Sequence, residues 1–215
     1  MTTLIFVRHG QSMANLQIRF AGHSDFDLSD LGKKQAALAA EFIKENYKID
    51  KIYSSDLLRA YNTARPIAEK LGMDIIATRR FREISAGLWE GLTFDEIAER
   101  YPLEYGVWKN NFSMAKCPEG ESAEDVYKRI SKVVDDISKE NADKTVLIAA
   151  HATVIRACEC RARGFSEKQM GMVEFSHNAS INVYLHNGKD LLAQETNIIA
   201  HLGDMATAVP KELNA

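Results

Sequence analysis

The chain opens on Leu4-Ile5-Phe6-Val7, four β-prone apolar residues in a row, and then turns without a spacer to Arg8-His9-Gly10. A continuous apolar run, unlike an alternating one, marks a strand buried on both faces, and such strands belong to parallel sheets covered by helices. That restricts the fold to an α/β architecture. It also restricts the site, because ligands of open α/β sheets bind beyond the carboxyl ends of the strands, where Arg8 and His9 fall. The pattern recurs later: Thr145-Val146-Leu147-Ile148-Ala149-Ala150 leads directly into His151, with Arg156 shortly after. Two histidines ending two buried strands, one of them beside an arginine, point to a site for an anion and a nucleophile.

Between these strands the pattern alternates. After the first strand, Leu4 to Arg8, a loop runs to about Leu28. Ser29 reads as the N-cap of a helix whose apolar stripe is Leu31, Ala36, Leu38, Ala39, Phe42 and Ile43. Ile52-Tyr53 reads as a short strand, and Asp56 as the cap of a helix carrying Arg59 in its first turn. Pro66 is expected to kink or interrupt that helix, since it cannot bond the carbonyl of Asn62. Gly72 stops it, and Ile75-Ile76 begins another strand. From about 85 to 124 the pattern becomes irregular and aromatic, as in a cap inserted over the sheet. A helix from Ser122 to about Ser138 precedes the strand into His151, and another helix follows it. Ile181 to His186 and Leu191 to Ile198 form a hairpin with Asn187-Gly188 as its turn, a preferred type I′ pair.

The order predicts a three-layer α/β/α sandwich with a mostly parallel mixed sheet and one antiparallel strand at the C-terminal hairpin. Residues 1–199 read as a single domain, and 200–215 as a weakly patterned, mobile tail. At 215 residues such a domain buries enough surface to need neither disulfide nor metal for stability. The net charge of -3 gives no basic footprint for nucleic acid. Cys117, Cys158 and Cys160 form no disulfide framework and, with the histidines, no zinc spacing. No stretch approaches the length of a membrane span, and Met1-Thr2-Thr3 runs into the first strand without the regions of a signal peptide. The expectation is a cytoplasmic protein.

Four segments in order then carry a likeness: Arg8-His9-Gly10-Gln11-Ser12, Ser54 to Ala60 with Arg59, Arg82-Glu83-Ile84 with Gly87-Leu88-Trp89-Glu90-Gly91, and His151 to Arg156. Together they resemble the histidine phosphatase family, also called the phosphoglycerate mutase-like family, over the chain to Ile198. The resemblance implies that His9 attacks phosphorus and becomes a phosphohistidine, a covalent intermediate open to histidine. Arg8 and Arg59 would clamp the phosphoryl oxygens, which guanidinium groups bond bidentately. His151 would donate a hydrogen bond to the phosphoryl group as the cation, with Ala152 standing where the family usually has glycine. Glu83 would serve as general acid and then general base. An ion pair with Arg79, Arg80 or Arg82 is the competing role for Glu83, and Glu90 is expected to order the cap. Asn15 would add a neutral donor, and the loop Gly22-His23-Ser24-Asp25 lies where the family meets substrate. No cofactor or metal is implied.

The leading reading is a metal-independent phosphomonoester hydrolase acting on a small phosphorylated metabolite. The alternative within the family is a cofactor-dependent phosphoglycerate mutase, which returns the phosphoryl group to a second hydroxyl. A third is a non-catalytic phosphate-binding module. Ser85 to Thr93 is unlike the Tyr-Gly-rich segment of the glycolytic mutases. With Pro118-Glu119-Gly120-Glu121-Ser122, it is similar to segments of fructose-2,6-bisphosphatases and α-ribazole phosphatases. Trp89, Trp108, Phe112 and Met114 suggest an apolar wall, with Lys109 and Lys116 in reach of a second anion. A homo-oligomer is compatible with all of this.

Overall fold

Along the first strand, β1 (Thr2–Arg8), Leu4 to Val7 have no exposed surface, which demands a packed layer on each side. The computed structural model, which describes residues 1–209, supplies both layers. Five further strands join β1: β2 (Lys51–Ser55), β3 (Ile75–Thr78), β4 (Thr145–Ala150), β5 (Ile181–His186) and β6 (Leu191–Ile198). Their order is β3-β2-β4-β1-β5-β6. The first four run parallel, β5 is antiparallel to β1, and β6 is antiparallel to β5. A single strand, β5, therefore opposes the rest, as expected.

Alternation sorts the side chains into two cores. Leu4, Phe6, Val146 and Ile148 face one, while Ile5, Val7, Leu147 and Ala149 face the other. On the first face lie α6 (Ala123–Glu140) and α7 (Ala152–Ala162), through Val126, Ile130, Val134, Val154 and Ile155. Burying each such side chain contributes about 1.5–3 kcal/mol. On the second lie α2 (Asp30–Asn46) and α3 (Leu58–Leu71), through Ala40, Ile43, Ala64 and Ile67. Ser29 and Ser122 cap α2 and α6 as read from the sequence, and Gly72 ends α3 at φ 65°.

Several local expectations are corrected. The helix α3 continues through Pro66 as one element; its buried face, Arg59, Ala60, Thr63, Ala64, Ile67 and Ala68, outweighs the one missing hydrogen bond. Asp56 does not cap it. Asp56 is held instead by Arg82 in a bidentate pair, both contacts at 2.7 Å, and the first N–H of α3, on Leu58, is accepted by Asp25 Oδ1 at 2.7 Å. The early loop contains α1 (Met13–Leu16), closed by a capping box between Ser12 and Asn15. Residues 85–124 are more regular than their pattern suggested, with α4 (Phe94–Arg100) and α5 (Pro102–Asn110) among 3₁₀ turns. Their aromatic residues join the first core: Trp89 and Trp108 are buried, with ring centroids 5.8 Å apart.

The hairpin strands keep their expected bounds, but four residues join them. Asn187 Oδ1 accepts the N–H groups of Lys189 and Asp190 at 3.0 and 2.8 Å, and only Gly188 of the two central residues has positive φ, so the turn is not type I′. Residues 200–205 form 3₁₀ turns with Leu202 buried, and Gln35 Nε2 donates to the Met205 carbonyl at 2.7 Å. The rest of the expected tail from 210 onward lies outside the described residues. No helix among the described residues is long and apolar enough to cross a membrane. Cys117, Cys158 and Cys160 are free and buried.

Candidate active site

The register of β1 and β4 brings the two histidines together. Arg8 stands opposite Ala150, and His9 N donates to the Ala150 carbonyl at 3.0 Å, so His9 and His151 leave adjacent parallel strands at the same level. Their ring centroids are 5.3 Å apart. His9 Nδ1 lies 2.7 Å from the Gly10 carbonyl. A carbonyl only accepts, so the proton sits on Nδ1 and Nε2 keeps its lone pair. The Gly10 N–H is in turn accepted by Thr63 Oγ1 at 3.0 Å, and the His9 carbonyl accepts from Asn178 Nδ2 at 3.1 Å. The ring orientation is thereby held from both sides of the chain.

Two guanidinium groups close on this ring. Arg8 and Arg59 are 2% and 1% exposed, which is unusual for arginine and leaves their charge to be met inside the protein. Arg8 Nη1 donates to the Ser176 carbonyl. Arg59 donates from Nη1 to the Ser24 carbonyl at 2.9 Å and from Nη2 to the Gly22 carbonyl at 2.7 Å. Arg8 Nε, Arg59 Nε and His151 Nδ1 are buried and find no partner among the described residues. Burial lowers both arginines to about 10, with Glu83 acting in the opposite direction, so both remain charged at neutral pH. Burial also pushes His9 and His151 well below the ordinary histidine value, reinforced by Arg59 and Arg8. His151 thereby favours its neutral form. Its Nε2 shares a 2.8 Å hydrogen bond with Ser55 Oγ at the end of β2.

The carboxyl of Glu83, 9% exposed, lies at the same cavity. Oε1 accepts from Ile84 N at 2.9 Å and Oε2 from Thr153 N, in the first turn of α7, at 3.3 Å. The competing ion pairs do not form. Arg82 and Arg79 pair with Asp56, and Arg80 pairs with Glu140 and Asp136. Glu90 clasps the neighbouring loop instead, accepting from His23 N, Ala86 N, Ser24 N and Ser24 Oγ at 2.7–3.0 Å. Gly22 in that loop has φ 48°, and a Cβ there would meet Glu90 Oε1 at 2.3 Å. Only glycine fits, and its carbonyl is the one that holds Arg59.

One cavity unites Arg8, His9, Asn15, Gly22, Arg59, Glu83 and Ala152. His151 lies against the His9 ring without lining it. His23 is elsewhere: its Nε2 donates to the Glu83 carbonyl at 2.9 Å, and the residue lines an adjoining groove with Arg82 and Arg129. It positions the Glu83 backbone from behind. Trp108 reaches the cavity, whereas Met114, Lys109 and Lys116 do not line it. Three lining arginines, Arg8, Arg19 and Arg59, face one carboxylate, Glu83. Such a balance suits a dianion.

Sequence reading missed Ser55, Thr63, Thr153, Ser176 and Asn178. Ser55 ends a buried strand next to β4 and carried that signal; Ser176 and Asn178 arrive from the far end of the chain and carried none. Among the described residues no three His, Cys, Asp or Glu side chains gather where they could hold a metal ion.

The chain matches the model of the histidine phosphatase superfamily (branch 1) over residues 4–199. Phosphoserine phosphatase 1 of Hydrogenobacter thermophilus is 33% identical over 213 residues, 99% of this chain and 100% of its own. Phosphoglycerate mutase-like protein 4 of Arabidopsis thaliana is 33% identical over 202 residues, 93% of this chain and 86% of its own. The solved structure of a mycobacterial glucosyl-3-phosphoglycerate phosphatase with VO3 superposes with a TM-score of 0.82 at 30% identity, covering 91% of this chain and 98% of that one.

Proposed function

The chain belongs to the histidine phosphatase superfamily, branch 1, and from that premise we propose that it hydrolyses phosphomonoesters of small metabolites through a phosphohistidine at His9. The observation that carries this reading is the committed tautomer of His9 between two buried arginines. In the first half-reaction the Nε2 lone pair attacks phosphorus while the bond from phosphorus to the ester oxygen breaks. The Glu83 carboxyl gives its proton to that oxygen. In the second, the Glu83 carboxylate takes a proton from water. The water oxygen attacks phosphorus, the phosphorus–nitrogen bond breaks, and inorganic phosphate leaves with His9 restored.

Arg8 and Arg59 hold the equatorial oxygens, where phosphoryl charge accumulates during transfer. Burial first, and then Arg59 and Arg8, disfavour the His151 cation; a bound dianion offsets the arginine part, so His151 gains affinity for a proton as substrate arrives. Asn15, Gly22 and Ala152 border the same oxygens. Residues 1–199 act as one domain, with about 85–124 as the cap beside the cavity. The buried free thiols and the net charge of -3 support a cytoplasmic enzyme of metabolites with no nucleic-acid partner.

Mutase-type transfer is the second reading, because relatives are named phosphoglycerate mutase-like and 2,3-bisphosphoglycerate-dependent phosphoglycerate mutase. It requires a site for two anionic ends at once. Beyond the clamp, the described residues bring one cation to the cavity, Arg19, already tied to the Gly91 carbonyl at 2.7 Å and to Glu96 at 3.8 Å. Hydrolysis is therefore favoured. The test is turnover of p-nitrophenyl phosphate and of a phosphometabolite panel in EDTA, with trapping of the phosphoenzyme. Acid-labile, alkali-stable label on the wild type and none on His9→Ala is expected; equal labelling of His9→Ala overturns the nucleophile.

A further inference from the structure

Ile18 is a β-branched residue with φ 54°, in the left-handed region that such side chains almost never occupy. The backbone around it is pinned. Its N–H donates to the Asn15 carbonyl at 3.2 Å, its carbonyl accepts from Phe94 N at 3.3 Å, and Phe20 N donates to the Leu92 carbonyl at 2.9 Å. Glycine or asparagine would make the same backbone bonds without the strain. Packing in the free protein does not explain the isoleucine, because it is 52% exposed. It stands at the mouth of the catalytic cavity. Strain held at a ligand site is a recognised signature of function.

Several other wall residues are apolar as well. Phe20, Ile84, Phe94, Trp108 and Phe175 line the cavity with Ile18, and all but Ile18 are at most 5% exposed. Among the described residues no lysine lines it, and Arg19 is engaged as described. We infer that Ile18 is a specificity-determining residue, completing an apolar collar above the phosphoryl clamp that selects leaving groups with an apolar face, aryl or alkyl, over compact polyanions. The inference rests on the reading of this cavity as the ester site. The anionic end is fixed by Arg8 and Arg59, and the body of the ester covers the half-exposed Ile18 side chain, which contributes binding by removing apolar surface from water.

Two non-hydrolysable phosphonates with the same anionic head separate collar from clamp. Calorimetric titration should show 1-naphthylphosphonate binding the wild type at least about tenfold tighter than methylphosphonate. In Ile18→Gly and Ile18→Asn that ratio should shrink about fivefold, the share of a half-buried isoleucine contact. Both variants should also raise Tm by about 2–4 °C as strain is relieved. A ratio unchanged in both variants, or a Tm lowered in both, overturns the inference, since the side chain would then serve only packing. Turnover of p-nitrophenyl phosphate is read on the same samples. A wild type that hydrolyses no ester yet shows the expected phosphonate ratios overturns the proposed reaction and upholds the collar. An active wild type with unchanged ratios does the reverse.

Discussion

The proposed nucleophile, His9, is shaped by what its neighbours take away. The Gly10 carbonyl fixes the proton on Nδ1, and burial with two arginines suppresses the cation, so Nε2 presents a lone pair at neutral pH. Arg59 is the most committed of these neighbours, with two main-chain carbonyls locking its fork. Arg59→Ala should lower kcat by on the order of 10²–10³ and weaken inhibition by inorganic phosphate, because its charge is needed most in the transition state. A change below about twofold in both would make it a structural residue only. Glu83→Gln keeps the side-chain shape and one accepting oxygen for Ile84 N or Thr153 N, but it sets an amide NH2 against the other N–H and has no carboxyl proton to give. Single-turnover phosphorylation by a sugar phosphate should slow by roughly 10²–10⁴. With p-nitrophenyl phosphate, whose leaving group needs little protonation, it should slow far less and leave a burst. Equal slowing for both esters would move the acid role to another carboxyl.

At the scale of elements, the clamp depends on how α3 begins. Its first turn delivers Arg59, yet its cap comes from Asp25, in the loop whose Gly22 and Ser24 carbonyls hold that arginine. Loop and helix fix each other, so one substitution should disturb both stability and catalysis. Asp25→Ala is expected to cost about 1 kcal/mol in urea unfolding and to raise KM. The neighbouring Asp27→Ala, which loses a bond to Asn62, should leave KM unchanged. Equal effects of the two would show that the cap has no part in placing Arg59. The same coupling explains why Asp56 misled the sequence reading. A capping residue was needed at that place and one stood there, but Arg82 competes for it with a bidentate pair.

For the whole molecule, the burial of charged and titratable groups ties stability to pH. His9 and His151 have folded values well below an unfolded value of about 6.5. Below that pH the unfolded chain binds protons that the folded chain refuses, so stability is full above about pH 6.5 and falls as the pH drops toward the folded values. Each histidine should cost about 1.4 kcal/mol per pH unit in that window, with half-buried His201 shifted in the same direction. Urea unfolding at pH 7.5 and 5.5 measures it, and saturating phosphate should flatten the slope by offsetting the arginines. Stability independent of pH across this window would contradict the burial of both rings.

Much of this architecture was legible because it depends on local pattern. Apolar runs marked β1 and β4, Ser29 and Ser122 announced their helices, and the hairpin strands kept their bounds to the residue. Arg8, His9 and His151 stood out as polar residues directly after buried apolar strands, whereas Arg59 and Glu83 took their expected roles from the family resemblance. What the chain alone left open were competitions between distant groups: Asp25 against Asp56 for a cap, Asp56 against Glu83 for Arg82, and His23 drawn behind Glu83 by a main-chain carbonyl. Hydrogen bonds and ion pairs have short reach, so their winners are decided only when packing brings the competitors together. Ser176 and Asn178 illustrate the limit. They hold Arg8 and His9 from more than 160 residues away, and no local pattern encodes that distance. Only the closing of β5 against β1 brings them there.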